Sequence, residues 1–175
     1  MAEILIVYSS IDGQTRRICE RLQHGIEQRA HQVTLASLHD EPDLDIGRFT
    51  KVVVGASVRY GTHRRQVYQF VASHAAQLSE RRSAFFSVNA VARKPQKCQP
   101  HTNPYPQKFL AETAWRPDAV AVFAGRIDYP RYRFWDRLVI QLIMKLTGGP
   151  TDPHAVVEFT DWQQVEAFAV RISEL

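Results

Sequence analysis

The chain has 175 residues, with 22 Lys and Arg against 18 Asp and Glu, a formal charge of +4 and a pI near 9.3. That length suits one domain spanning residues 1–175, since no composition shift or Gly/Ser linker marks a boundary. No apolar run reaches about 18 residues, which excludes a membrane span, and two cysteines without a secretory signal suit a reduced cytosolic setting.

Ile4 to Tyr8 is a continuous apolar run rich in β-branched residues, which predicts a strand buried on both faces. Ser9-Ser10-Ile11-Asp12-Gly13-Gln14-Thr15 follows, and Ile18, Leu22 and Ile26 then predict a helix starting near Thr15. Hydroxyls, a glycine and a helix start together supply side-chain donors, bare amides and a positive dipole end, the requirements for cradling a phosphate. The loop has neither a Walker lysine nor GxGxxG spacing, so ATP hydrolysis and dinucleotide binding lose support. Cys19 lies at helix spacing behind the loop and reads as core.

Val33 to Ala36 is a weaker strand, and the acidic stretch from Asp40 to Asp45 is a loop. Val52 to Ala56 is a second buried strand, followed by one helical face made of Val67, Phe70, Val71 and Leu78. Ala84 to Val88 and Ala119 to Ala124 are further strands, separated by a Pro-rich segment, Asn89 to Pro117, with a short helical piece near Lys108 to Thr113. Such a segment between core strands reads as a rigid functional flap. Val156 to Phe159 predicts a last short strand, and Thr160 with Gln163 a capping box for a closing helix whose core face is Trp162, Val165, Phe168 and Ile172. Strand and helix in alternation imply an α/β fold, a parallel sheet with helices on both faces.

Two segments break the rhythm, the Pro-rich one and a long insertion at about 126–150 before the last strand segment. Arg133, Arg137, Gln141 and Lys145 recur every four residues as a basic stripe, flanked by Phe134, Trp135, Leu138, Val139, Ile140, Leu142, Ile143, Met144 and Leu146. Basic residues on one side and Trp, Phe and Leu on the other suit a helix lying in a membrane interface, making peripheral contact with anionic lipid. An ordinary core helix with a solvated basic edge is the alternative.

The phosphate loop resembles that of the flavodoxin family, in which Ser/Thr-x-Thr-Gly-x-Thr holds the phosphate of FMN. Ser10-Ile11-Asp12-Gly13-Gln14-Thr15 matches it except at Asp12. A carboxylate beside a phosphate is repulsive, so Asp12 is expected to turn away and cap the helix, leaving backbone groups, Ser10, Gln14 and Thr15 to bind. Nearly the whole chain is similar to one branch, the bacterial menaquinone-dependent protoporphyrinogen IX dehydrogenases. The matching stretches are Asp12 to Arg16, Gly55 to Gly61, Ser87 to Pro95, Trp115 to Asp118, Tyr129 to Arg133 and Thr160 to Trp162.

The resemblance implies a flavodoxin-like, long-chain fold with a five-stranded parallel sheet, and an enzyme of heme biosynthesis. FMN would be the cofactor, protoporphyrinogen IX the donor, giving up six electrons in three two-electron rounds, and a membrane quinone (menaquinone or ubiquinone) the acceptor. The chain would sit in the cytoplasm, peripherally attached to the cytoplasmic face of the inner membrane. A flavodoxin-type electron carrier and an NAD(P)H-quinone reductase are the competing functions, and the basic charge speaks against the carrier, a class that is typically acidic.

In such a sheet the loops after the first, third and fourth strands gather in one crevice. The expected cofactor contacts are therefore Ser9, Ser10, Ile11, Asp12, Gly13, Gln14 and Thr15; Ser57, Arg59, Tyr60 and Gly61; and Ser87, Val88, Asn89, Ala90, Val91 and Ala92. Tyr60 would stack on the isoalloxazine and Asn89 would read its pyrimidine edge, each with a plain packing or turn-forming role as the alternative. Tyr60 and His63 are the candidate catalytic residues. Arg93, Lys94, Lys97, Arg126, Arg131 and Arg133 are candidates for substrate propionates, and Trp135, Arg137 and Lys145 for the membrane. Nucleic acid and metal are not expected, because no binding motif or ligand spacing occurs, and a homo-oligomer stays open.

Overall fold

In the computed structural model, which describes residues 1–175, five parallel strands form the main sheet. They are β1 (Glu3–Ser9), β2 (Gln32–Ser37), β3 (Lys51–Arg59), β5 (Arg82–Asn89) and β6 (Ala119–Ala124), in the order β2-β1-β3-β5-β6. Strands buried on both faces read as continuous apolar runs, and from Ile4 to Val7 none is exposed at all. A two-residue strand, β4 (Thr62–His63), pairs antiparallel with the end of β3.

Each face is covered by its own helices. Ile4, Ile6 and Tyr8 pack with Ile18, Cys19, Leu22 and Ile26 of α1 (Gln14–Glu27) and with Val165, Phe168 and Ile172 of α6 (Trp162–Glu174). On the other face, Leu5 and Val7 pack with α2 (Arg65–Ser73), α3 (Ala75–Ser79) and Phe109 of α4 (Pro104–Glu112). Gly55 is needed here, because a Cβ would stand 2.2 Å from the Phe86 ring on the neighbouring strand.

Four local expectations are corrected. The helical face Val67 to Leu78 is two helices, broken at His74, whose ring stands by the Phe70 carbonyl (2.9 Å) and the Leu44 carbonyl (3.1 Å). The helical piece at Lys108 to Thr113 begins earlier, at Pro104, because Asn103 caps it by accepting from the Tyr105 amide at 3.2 Å. Helix α6 is capped by Asp161, which accepts from the Gln163 and Gln164 amides, while Thr160 donates to the Ala124 carbonyl at 2.6 Å.

The fourth concerns the insertion. Strand β8 (Val156–Glu158) does not join the main sheet but pairs antiparallel with β7 (Arg126–Asp128). The chain leaves the sheet at Gly125, makes β7, a short turn and α5 (Phe134–Thr147), and returns along β8 to a Phe159 amide bond with the Gly125 carbonyl, 3.0 Å. Ile127, Tyr129, Tyr132 and Met144 give this excursion a small core of its own. Met144 is the one fully buried residue of α5.

Candidate functional site

The ends of β1, β3, β5 and β6 and the inserted helix border one cleft that is open to solvent. Ser10, Ile11, Asp12, Gln14 and Thr15 line one side, Ser57, Arg59, Tyr60 and Gly61 a second, and Val88, Asn89, Ala90 and Val91 a third. Thus the three loops converge as parallel-sheet topology requires. Arg93 and Arg126 also reach the cleft, whereas Ser9, Gly13, Ser87, Ala92, Lys94, Lys97, Arg131, Arg133, Trp135, Arg137 and Lys145 do not line it.

At the phosphate loop, Gly13 is the residue preceding α1, held at φ 86°, and no side chain caps the helix. The positive φ favours glycine, since a Cβ is strained there even with open space around it. Ser10 closes the turn by accepting from the Gly13 amide at 3.1 Å. Asp12 does not cap the helix as expected; its carboxylate pairs with the Arg59 guanidinium at 3.2 Å. Burial lifts the Asp12 carboxyl above its ordinary value, with Arg59 and Arg131 pulling the other way. The Gln14 side chain also departs from expectation: it donates to Glu158 (2.7 Å) and Thr160 (2.9 Å), away from any phosphate.

Two buried polar atoms near this loop have no partner in the protein, Ser9 Oγ and Arg59 Nη1. Such orphans are uncommon and ask for a ligand or water. The uncapped helix start, the orphaned guanidinium nitrogen and the absence of acidic residues in the first turn of α1 fit a bound phosphate.

Tyr60 and Gly61 form the two-residue turn between β3 and β4, at φ 52° and 80°. Two successive positive φ values are those of a primed hairpin turn, and a bulky tyrosine adopts one only under constraint. The turn leaves the Tyr60 ring 57 % exposed at the cleft, where its hydroxyl donates to the Asp136 carboxylate of α5. That bond raises the phenol above its usual range. Arg59 lies over the rings of Tyr60 and Tyr132, 5.9 and 5.4 Å from their centroids.

His63 is placed elsewhere than expected. It is buried beneath the hairpin, edge-on to Phe85 and Phe109, with Nε2 2.8 Å from Ser87 Oγ. Burial lowers it to about 4, so it is a neutral packing residue at neutral pH and does not reach the cleft. Asn89 is likewise spent internally. Its carbonyl accepts from Ala92 N and Asn103 Nδ2, and its amide donates to Ser87 and Asn103. Only the backbone of Asn89 to Val91 is left to meet a ligand edge. Arg93 is a strut as well, donating to the Ala90 carbonyl and to the Thr147 carbonyl and hydroxyl, so it ties α5 to the 89–93 turn.

Sequence reasoning overlooked Val58, Tyr105, Gly125, Ile127, Tyr132, Ile140, Ile143, Met144, Thr147 and Phe159 as lining residues. A signal existed for four of them, because 140, 143, 144 and 147 have the i, i+3, i+4, i+7 spacing of a single helix face. The outward face is different. At about 100° per residue, Phe134, Leu138, Leu142, Trp135, Leu146 and Val139 fan across somewhat less than half the circumference, with Ile143 at the edge that turns into the cleft, and all seven are exposed, Trp135 by 75 % and Leu146 by 78 %. Of the basic stripe, Lys145 lies at the edge of this arc and exposed Arg133 precedes the helix, whereas Arg137 is half-buried and Gln141 donates to the Thr151 carbonyl.

Comparison with known proteins agrees with this architecture. The family model described as a flavodoxin domain matches residues 5–154. A protoporphyrinogen IX dehydrogenase [quinone] of Escherichia coli K12 is 47 % identical over 173 residues, covering 98 % of this chain and 94 % of the relative. A protein of the same name from Leishmania major is 40 % identical over 166 residues, covering 94 % and 72 %. Flavodoxin 1 of Bacillus cereus superposes with a TM-score of 0.55 at 10 % identity, covering 99 % of this chain and 98 % of its own. An archaeal flavodoxin gives 0.54 at 16 %, covering 98 % and 96 %. The fold, the phosphate loop and these relatives lead to one assignment: the chain belongs to the flavodoxin family.

Proposed function

We propose that the protein oxidises protoporphyrinogen IX, using FMN as cofactor and a membrane quinone as electron acceptor, while α5 rests on an anionic membrane surface. The observation that carries the reading is that an uncapped, phosphate-ready helix start and an exposed apolar helix border the same cleft. The close relatives whose name contains that activity support the choice of donor and acceptor.

Bound FMN would supply the two-electron chemistry that no side chain here can perform. The chain's own residues position and screen it. The amides of Gln14 and Thr15 and the Ser10 and Thr15 hydroxyls would hold the phosphate, and Arg59 would offset its charge while masking Asp12. Tyr60 would stack on the ring, and the backbone of Asn89 to Val91 would meet its polar edge. Ile140, Ile143 and Met144 would exclude water and give the tetrapyrrole an apolar wall. Asp12, the one carboxylate lining the cleft, is engaged by Arg59, so the protein's part is orientation and electrostatics.

No helix is long and apolar enough to cross a membrane. The exposed arc of α5, with Lys145 at its edge and exposed Arg133 just before the helix, instead suits a helix lying in the headgroup region. That location brings the cleft to the level at which a lipid-tailed quinone is found.

An absorption spectrum followed by anaerobic titration tests this. Purified protein reconstituted with FMN should be yellow and should bleach on adding protoporphyrinogen IX, with colour restored by a quinone in vesicles. A folded protein that takes up no FMN, or a flavoprotein that porphyrinogen never bleaches, overturns the proposal.

A further inference from the structure

Gln14 occupies a position in the phosphate loop that invites a ligand role, yet its side chain is 7 % exposed and wholly committed to the protein. The amide nitrogen donates to Glu158 at 2.7 Å and to Thr160 at 2.9 Å, and the amide oxygen accepts from Arg17 at 3.0 Å. Arg17 also reaches the same Glu158 oxygen, at 3.2 Å. Thr160 in turn donates to the carbonyl of Ala124, the last residue of β6. The first residue of α1 is thereby bonded to β8, the limb by which the inserted segment returns, and to the residue at which the main fold resumes.

We propose that Gln14 is a positioning residue that couples the phosphate loop to the inserted segment, so that binding of FMN and seating of β8 favour one another. The physical basis is geometric. The amides that would meet the phosphate belong to the turn whose side chain holds β8, so the turn cannot shift without disturbing the return limb. The Gln14 amide has three partners, and although Glu158 and Arg17 stand at the surface its bond to Thr160 is buried, so displacement leaves a donor unpaired there. Coupling of this kind is reciprocal: whatever β8 contributes to FMN affinity, FMN returns to the order of β8. The inference rests on FMN being the ligand of the loop, and its test separates the two ideas.

FMN affinity is measured by quenching of flavin fluorescence in wild type, Gln14→Ala, Glu158→Ala, Glu158→Gln and the Gln14→Ala/Glu158→Ala double variant. Far-ultraviolet circular dichroism of each checks the fold. Glu158 lies outside the cleft, so a purely direct phosphate contact by Gln14 would leave Glu158→Ala unchanged. Coupling predicts that both alanine variants weaken FMN by about 5-fold or more, and that the double variant is little worse than either. Glu158→Gln, which keeps an acceptor for the Gln14 amide, should stay near wild type. Amide exchange across 156–158 should slow on adding FMN to wild type, and not on adding it to Gln14→Ala. Additive losses, an unaffected Glu158→Ala, or FMN-dependent protection that survives Gln14→Ala would each overturn the coupling. Wild-type protein that binds no FMN would instead overturn the cofactor reading.

Discussion

Helices α1 and α5 have the same length, 14 residues, and opposite relations to the rest of the molecule. Ile18, Cys19, Leu22 and Ile26 of α1 are completely buried against the sheet, whereas α5 buries Met144 alone and exposes seven large apolar side chains. Ile18, Leu22 and Ile26 each contribute roughly 1.5–3 kcal/mol of hydrophobic stabilisation. An equally apolar helix left in water gains nothing from those groups. A helix can thus be strongly hydrophobic because it belongs to the core or because it meets something beyond the protein. The hydrophobic pattern alone does not say which.

The largest expected effect breaks this contrast directly. Ile18→Ala should destabilise the fold by roughly 2–5 kcal/mol through lost burial and a cavity, while Leu142→Ala should stay within about 0.5 kcal/mol. Paired urea titrations decide it, and equal losses at the two sites would remove the distinction.

A second prediction concerns the core beside the cleft. His63 is held at about 4, below its unfolded value, so the folded state binds fewer protons than the unfolded one between about 4 and about 6.5. Its contribution is complete above about 6.5 and is lost as pH falls toward 4, by up to about 3 kcal/mol. Stability measured across that window should lose part of its slope in His63→Gln.

On the outer face of α5, Trp135→Ala and Leu146→Ala should each weaken binding to anionic vesicles by roughly tenfold, about 1.4 kcal/mol. Flotation with lipid reads this, and the thermal midpoint should not move. The smallest effect falls at the hairpin turn. Tyr60→Gly relieves a left-handed conformation but gives up the Asp136 bond and adds unfolded-state freedom, so the stability of the FMN-free protein should change by less than about 1 kcal/mol. The same change should reduce FMN affinity, seen in fluorescence titration; unchanged affinity would remove Tyr60 from the ring-stacking role.

The same contrast explains what could be read from sequence. The strands Ile4 to Tyr8 and Val52 to Ala56 and the periodicity of Ile18, Leu22 and Ile26 are legible, because burial on a parallel sheet imposes a strict pattern. The converging loops follow from topology once the strands are assigned. What escaped was decided by side chains far apart in the chain. Gln14 meets Glu158 across 144 positions and Tyr60 meets Asp136 across 76, and no local pattern announces either pairing. The departure of β8 from the main sheet escaped for another reason. Three residues are too few for periodicity to distinguish a sheet strand from one arm of an antiparallel pair.

The struts around α5 are distributed unevenly along it. Its C-terminal half is fastened by Arg93 to Thr147, by Gln141 to Thr151 and by buried Met144. Its beginning is held to the hairpin by the Tyr60 hydroxyl on Asp136, with Phe134 and Trp135 projecting into solvent beside it. The far end of the helix is thus fixed at several points, whereas its first turn has one side-chain bond to the hairpin beside its chain link to buried Tyr132, so changes at Tyr60 should be felt first at Phe134 and Trp135.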